Sequence, residues 1–322
     1  MTLKISKVCK RYGYQNWALR DVSLEIERGE IVGLIGETAG GKSTLLRIIH
    51  GSEKSNGGNI SFDGKDLTDI PKERNFSLIA NSNSKNWKDI FSKPSEISAG
   101  ERQKSSFENE LNNADSVILL DNPFSEIEPN LKTEMLNKLR STVTNQRLSA
   151  ILISSDQADL FAVCDRIAVL HRGEIYQIDT PRNLYEQPNS VIAARLLGRN
   201  NLIAAMRITF NNQVTQEFQT LAGDHQLLTD KTEKRLLGAI NAPVTLAIRP
   251  EHISISFGAS FPEDNLLKAE IVGIEYQGAT TRLKLNANGL ILEALVLRLV
   301  GLKIGDECMV GLPPDRILVL KD

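Results

Sequence analysis

Cysteine is scarce in this chain of 322 residues. Cys9, Cys164 and Cys308 are far apart and odd in number, which excludes a disulfide framework and a paired zinc spacing. They read as reduced, buried thiols. Long apolar runs are missing as well: none reaches the ~18 residues of a membrane-crossing helix, and the opening segment, residues 1–8, has no apolar core of signal-peptide length. A cytosolic location is the resulting expectation. Surplus charge of either sign is also lacking. A formal net charge of -2 excludes a broad electrostatic grip on nucleic acid or anionic lipid. What remains is ordinary globular material, 41% hydrophobic and 24% charged, long enough for two domains at ~100–200 residues each.

The two domains have different textures. Through residues 1–198, short β-branched runs alternate with longer helical stretches, the pattern of a mostly parallel sheet covered by helices. Buried strands are predicted at residues 30–35, 76–80, 117–120 and 150–153, with a further one at 166–170. Helices are predicted at 41–50, 100–112 and 131–143. Over residues 199–322 the chain reads as a small all-β domain, barrel-like, with strands at 244–248, 268–275, 280–285, 290–296, 307–312 and 316–320. Residues 211–234 read as a loop-rich connection. Neither an internal repeat nor a low-complexity tract is present.

The first motif with chemistry is Gly36, Glu37, Thr38, Ala39, Gly40, Gly41, Lys42 and Ser43, followed by Thr44, set between a predicted strand and a predicted helix. That context is the one a phosphate-binding loop requires. Glycines let the backbone wrap a polyphosphate with its N–H groups, and the helix start adds its positive dipole end. Lys42 would reach the β- and γ-phosphates, and the Ser43 hydroxyl would ligate Mg²⁺. A second element belongs with it: an apolar strand ending in Asp121, whose carboxylate would hold the Mg²⁺ water shell at the strand's C-terminal end.

With these two elements in place, the sequence resembles the ATP-binding subunits of ABC importers, in particular the long subunits with a C-terminal TOBE-like (OB-type) β-domain that serve iron, polyamine, sulfate and sugar uptake. Lys10, Arg11 and Tyr12 resemble the segment whose aromatic ring stacks on adenine; read alone, Tyr12 is equally a half-buried strand tyrosine. Ile97, Ser98, Ala99, Gly100 and Glu101 resemble the signature motif, which in the family binds the γ-phosphate held by the opposite protomer. Without the family, Ser98 is a helix N-cap and Glu101 completes a capping box. Asn122 to Glu128, Ser154 to Gln157, Arg172 to Gln177, and then Thr180, Pro181, Leu184 and Tyr185 continue the likeness. Ala247, Ile248, Arg249, Pro250 and Glu251 resemble the opening of the accessory β-domain. The resemblance implies a P-loop NTPase of α/β class with ATP and Mg²⁺ as ligands. It also implies transmembrane permease subunits and a solute-binding protein as partners, a homodimer or mixed dimer of nucleotide-binding subunits, no nucleic acid, and a place on the inner face of the cell membrane.

The departures from that family are as informative as the matches. The position after Asp121 is Glu in active members, where it polarises the attacking water; here it is Asn122. The switch position, His in the family, is Ser155, and none of His50, His171, His225 or His252 falls there, so these four read as surface or core histidines. Asn81 stands where the family has a Gln one methylene longer. From Asn81 to Ser98 is a step of 17 positions, room for about one helix of ~10–14 residues instead of the several-helix subdomain on which membrane subunits dock. The shortened part is residues 82–97, in which Trp87 and Phe91 are expected to close over the sheet. Glu126 and Glu128 are not expected to replace the missing base, since a base must lie within about 3 Å of its water. The expectation is an ATP-binding importer subunit whose hydrolysis is impaired unless it is paired with an intact subunit. The alternative is a non-transport, ATP-dependent regulatory or binding protein descended from one.

Overall fold

The computed structural model describes residues 2–13, 16–70, 74–80, 99–125, 127–208, 216–230, 239–258, 265–297 and 301–320. The chain divides into two compact units, residues 1–186 and 187–322. The first contains β1 (Thr2–Tyr12), β2 (Asn16–Glu27), β3 (Ile31–Ile35), α1 (Lys42–His50), β4 (Gly57–Phe62), β5 (Lys65–Asp66), β6 (Phe76–Ala80), α2 (Ala99–Asn112) and β7 (Val117–Asp121). It continues with α3 (Pro129–Gln146), β8 (Ser149–Ile153), α4 (Gln157–Val163), β9 (Arg166–His171), β10 (Glu174–Asp179) and α5 (Pro181–Glu186). The second contains α6 (Val191–Leu196), β11 (Asn201–Arg207), β12 (Gln216–Thr220), β13 (Gln226–Thr229), β14 (Pro243–Ile248), β15 (Ser254–Ser256), β16 (Asn265–Tyr276), β17 (Thr280–Ala287), β18 (Leu290–Leu297), β19 (Glu307–Leu312) and β20 (Leu318–Leu320).

In the first unit a six-stranded sheet runs β10-β9-β3-β8-β7-β6, parallel throughout except for β10. Its central strands are apolar on both faces: every residue of β3 and β8 is buried, as are the first four of β7. A smaller antiparallel sheet, β2-β1-β4-β5, supplies the other wall of the same core. The alternation of apolar and polar residues in β1 and β2, with Leu3, Ile5, Leu19, Val22, Leu24 and Ile26 inward, marks one buried face. Leu45, Leu46, Ile48 and Ile49 of α1 belong to that core, so the helix behind the glycine-rich loop is held by both sheets. Gly51, at φ +89, ends this helix by donating to the carbonyls of Arg47 and Ile48.

The second unit pairs two five-stranded antiparallel sheets, β13-β12-β11-β14-β20 and β15-β19-β16-β17-β18, about one apolar core that includes Phe218, Leu246, Leu283 and Val310. Three expectations are corrected here. Residues 211–234 are not all loop: β12 and β13 lie within them, and their short alternation buries Phe218 and Leu227. The last strand starts at Leu318, because Pro314–Arg316 is a 3-10 turn. The units divide at Glu186 and Gln187, twelve residues before the expected boundary, because Val191 and Ala194 of α6 pack with Ala247 and Leu320. Of the thiols, Cys164 and Cys308 are buried, and burial pushes both up from their ordinary range. Cys9 is only half-buried, with its Sγ 3.2 Å from Asp21 Oδ1.

The strand that ends in Asp121 draws its stability from full burial. Leu119→Ala is expected to cost about 2–5 kcal/mol in urea-induced unfolding, the usual range for a leucine truncated to a cavity. Leu119 is 0% exposed.

Candidate functional site

The glycine-rich loop leaves β3 and turns into α1 between two other strands. A Cβ on Gly36 would stand 2.0 Å from the carbonyl oxygen of Leu170 in β9, and one on Gly41 would stand 2.2 Å from that of Ala18 in β2. Neither gap admits a side chain, so backbone clearance fixes both glycines. Gly41 is also the N-cap of α1, at φ +98. Within the loop, the amide of Gly40 donates to Glu37 O at 3.0 Å. Lys42 curls over the turn and donates to Gly36 O at 2.8 Å and Glu37 O at 2.7 Å. Burial holds this ammonium below its ordinary range, while attraction from Asp121 and Glu37 partly offsets that effect. Glu37, Thr38 and Ala39 are exposed on the loop's outer side, Ser43 is half-buried and Thr44 buried. No acid sits in the first turn of α1, so nothing there cancels the helix's positive end.

Strand register assembles the second half. Asp121 closes β7 and lies level with Ile153 of β8 and Ala80 of β6. The positions after these three are Asn122, Ser154 and Asn81, so the expected water-polarising position follows one strand end directly and the expected switch position, Ser155, lies two residues past the neighbouring one. Asn81 itself lies outside the described residues. Asn122 has φ +50, its amide donates to Ile153 O at 3.0 Å, and its Nδ2 donates to Asp121 Oδ1 at 3.4 Å. Its Oδ1 is buried with no hydrogen-bond partner among the described residues. An unmet buried acceptor typically costs ~1–3 kcal/mol, so this oxygen is suited to a donor from outside the chain.

The switch segment is pinned from both sides. Ser154 is buried and donates to Asp159 Oδ2 at 2.7 Å, Asp156 caps α4, and Lys132 of α3 bridges Asp156 Oδ2 at 2.6 Å and Asp159 Oδ1 at 2.8 Å. Ser155 stands exposed at the tip between these anchors. Glu128 is the exposed residue just before α3, and Glu126 lies outside the described residues. Of the signature residues, Ser98 lies outside the described residues, Ala99 opens α2, and Glu101 is exposed in its first turn. A Cβ on Gly100 would approach Leu131 Cδ2 to 3.0 Å, so a small residue lets α2 start against α3. Trp87 and Phe91 also lie outside the described residues. Tyr12 ends β1, 44% exposed as a residue, with its hydroxyl donating to Glu53.

Two features escape the sequence reading. Ala39 has φ +62, a left-handed conformation that costs an ordinary residue roughly 1–2 kcal/mol. Its place just before Gly40 and Gly41 is the one available signal. His171, buried at the end of β9, brings Nδ1 to 3.3 Å from Glu37 Oε2 without hydrogen-bond alignment. Oxygen donors at Ser43 and Asp121, an ammonium at Lys42 and a helix start form a set that fits a hydrated Mg²⁺ and a polyphosphate.

Ala39→Gly relieves the left-handed strain but loosens the unfolded chain by about 0.4–1 kcal/mol. A net gain of roughly 0.5–1 kcal/mol is expected in denaturant melts, and a loss would contradict the strain. Lys132→Met leaves buried Asp159 without its cation and is expected to cost about 1–3 kcal/mol at neutral pH. The hydrogen bond from Lys132 holds the Asp156 carboxyl below its ordinary range, assisted by the amide of Ala158. That part of the stability is complete above the unfolded-chain value and is lost as pH falls through the folded one, so wild type and variant should converge in acid.

The family model described as ABC transporter matches residues 19–85, and the TOBE domain model matches residues 246–320. The chain is 30% identical over 297 residues to the sulfate/thiosulfate import ATP-binding protein CysA of Bacillus cereus, covering 80% of each chain. It is 28% identical over 275 residues to the spermidine/putrescine import ATP-binding protein PotA of Thermotoga maritima, covering 74% of this chain and 73% of that one. To the Fe(3+) ions import ATP-binding protein FbpC of Vibrio cholerae it is 26% identical over 311 residues, covering 85% and 86%. Among the described residues no helix is long and apolar enough to cross a membrane. A glycine-rich loop clamped between β9 and β2, a carboxylate at the end of β7 and a second, all-β unit are thus joined to relatives aligned over most of their length: the chain belongs to the ATP-binding subunits of ABC importers that carry a C-terminal TOBE domain.

Proposed function

We propose that this subunit binds MgATP through the residue 36–44 loop, Lys42, Ser43 and Asp121, and that its own site hydrolyses the nucleotide slowly. Bound MgATP supplies the phosphoanhydride bond. Lys42 would exchange its two loop carbonyls for phosphate oxygens, a swap helped by the burial that disfavours its charge without an anion. Ser43 and Asp121 offer a hydroxyl and a carboxylate to the cation. The observation that carries the slow-hydrolysis reading is the side chain of Asn122, whose unmet buried Oδ1 can accept a hydrogen bond from a water but cannot take its proton. General-base assistance is worth ~10²–10⁴ in rate. Ser155, exposed and short, adds no titratable nitrogen.

In this reading two ATP-binding subunits close over two nucleotides at the inner face of the membrane, with Ser98 and Gly100 completing the partner's site, and the closure acts on transmembrane permease subunits that receive cargo from a solute-binding protein. A mixed dimer with an intact subunit would restore one competent site. Relatives named for sulfate, polyamine and ferric ion import share one architecture, which supports placing cargo choice in the other subunits. One observation favours the second reading, a regulator outside transport. The short stretch between Ala80 and Ala99 leaves little dock for a membrane subunit, and the ABC transporter match stops at residue 85. A pull-down that returns no membrane subunit would support that reading.

Calorimetry of the purified chain is expected to detect MgATP binding, with phosphate release far below the 1–10³ per second of ordinary enzymes. Asn122→Glu should raise that release by about 10²-fold or more, and Asn122→Ala should leave it low. Wild-type turnover in the ordinary range would refute the slow-hydrolysis reading.

A further inference from the structure

An exposed tyrosine at the end of a hairpin strand ordinarily samples several rotamers, whereas Tyr12 is held. Its hydroxyl donates to Glu53, and the Lys10 ammonium lies 5.1 Å from its ring centroid. Lys10 is fixed in turn by Glu53 Oε1 at 3.0 Å and by Lys54 O at 2.7 Å. Glu53 is the hub: its side chain is only 16% exposed, its amide donates to Arg47 O at 3.2 Å, and its Oε2 accepts from Arg47 Nε at 3.0 Å. Arg47 then reaches Thr44 Oγ1 at 3.3 Å, one residue beyond Ser43 on the phosphate-loop helix. Burial works against the charge of Glu53, but hydrogen bonds from Tyr12, Lys10 and Arg47 outweigh it and hold the carboxyl below its usual range.

We infer that Glu53 is a positioning residue that fixes the Tyr12 ring at a set distance from the phosphate loop, so that an aromatic base and the triphosphate attached to it are gripped together. The inference rests on the nucleotide reading of that loop and deepens it. An ion cluster serving only as a surface staple would stabilise the hairpin whatever the ligand. A platform for a base instead makes affinity depend on the base. The chain Tyr12, Glu53, Arg47, Thr44 links the exposed ring to the helix whose start receives phosphate, and no other aromatic takes part in it.

The test compares two probes on the full-length chain by calorimetry: MgATP, and magnesium tripolyphosphate, which has the phosphates without the base. Tyr12→Ala is expected to weaken MgATP roughly tenfold or more, the scale of one base on an aromatic side chain, and to leave tripolyphosphate within about twofold. Glu53→Ala should weaken MgATP about three- to tenfold with tripolyphosphate again unchanged, and the double variant should bind no worse than Tyr12→Ala alone. Glu53→Gln, which keeps acceptor oxygen for the tyrosine, should recover most of the loss. Equal weakening of both probes by Glu53→Ala would mean that the carboxylate props the phosphate loop, and unchanged MgATP affinity would mean that it is a staple; either result overturns the inference. Wild type binding both probes equally tightly removes the base platform but spares the phosphate loop, whereas wild type binding neither overturns both.

Discussion

Clearance between backbones governs the candidate site. The residue 36–43 loop passes so close to Leu170 of β9 and Ala18 of β2 that only hydrogen fits on two of its α-carbons. Those contacts couple the loop to both sheets, and α1 extends the coupling into the core through Leu45, Leu46, Ile48 and Ile49. A loop of exposed, polar residues would otherwise sample many conformations, and its ordering would be charged against any ligand it bound. Here folding has already met that cost for the loop backbone, whereas the Lys42 ammonium, donating to Gly36 O and Glu37 O, has to leave those carbonyls to meet an anion.

The opposite wall of the site owes its form to sheet register. Because β6, β7 and β8 are parallel and end level, the residues that follow them emerge side by side. Asn122 takes a left-handed conformation there and hands its amide to β8, which directs the side chain beside Asp121. Asparagine tolerates that backbone better than most residues. Asparagine therefore suits the geometry of the turn, and its amide has no group there that takes a proton. Lys132, Asp156 and Asp159 hold the neighbouring segment that carries Ser155 at its exposed tip.

Much of this was legible in the sequence. Strands with apolar runs bounded by glycine or polar turns, such as Phe76–Ala80 and Glu307–Leu312, stand where their patterns put them. The glycine-rich loop between strand and helix, and Asp121 at a strand end, were readable because their spacing encodes backbone geometry. The antiparallel sheet of β1, β2 and β4 was not, since β1 and β2 carry charges and irregularities at Lys7 and Asp21 that break the alternation. β12 and β13 were hidden by polar outer faces, and only Phe218 and Leu227 betray them. Long-range pairings such as Tyr12 with Glu53, or Lys132 with Asp159, join residues dozens of positions apart, and no local pattern announces them.

Helix α6 has a practical bearing. Its six residues continue the sequence texture of the first unit, yet Val191 and Ala194 find their apolar neighbours at Ala247 and Leu320. A gene fragment ended at residue 198 would carry a short greasy helix with nothing to cover it, inviting aggregation. The β-sheet fragment begun at 199 would in turn expose the patch this helix should seal. Cutting after Glu186 gives each piece its own whole interior.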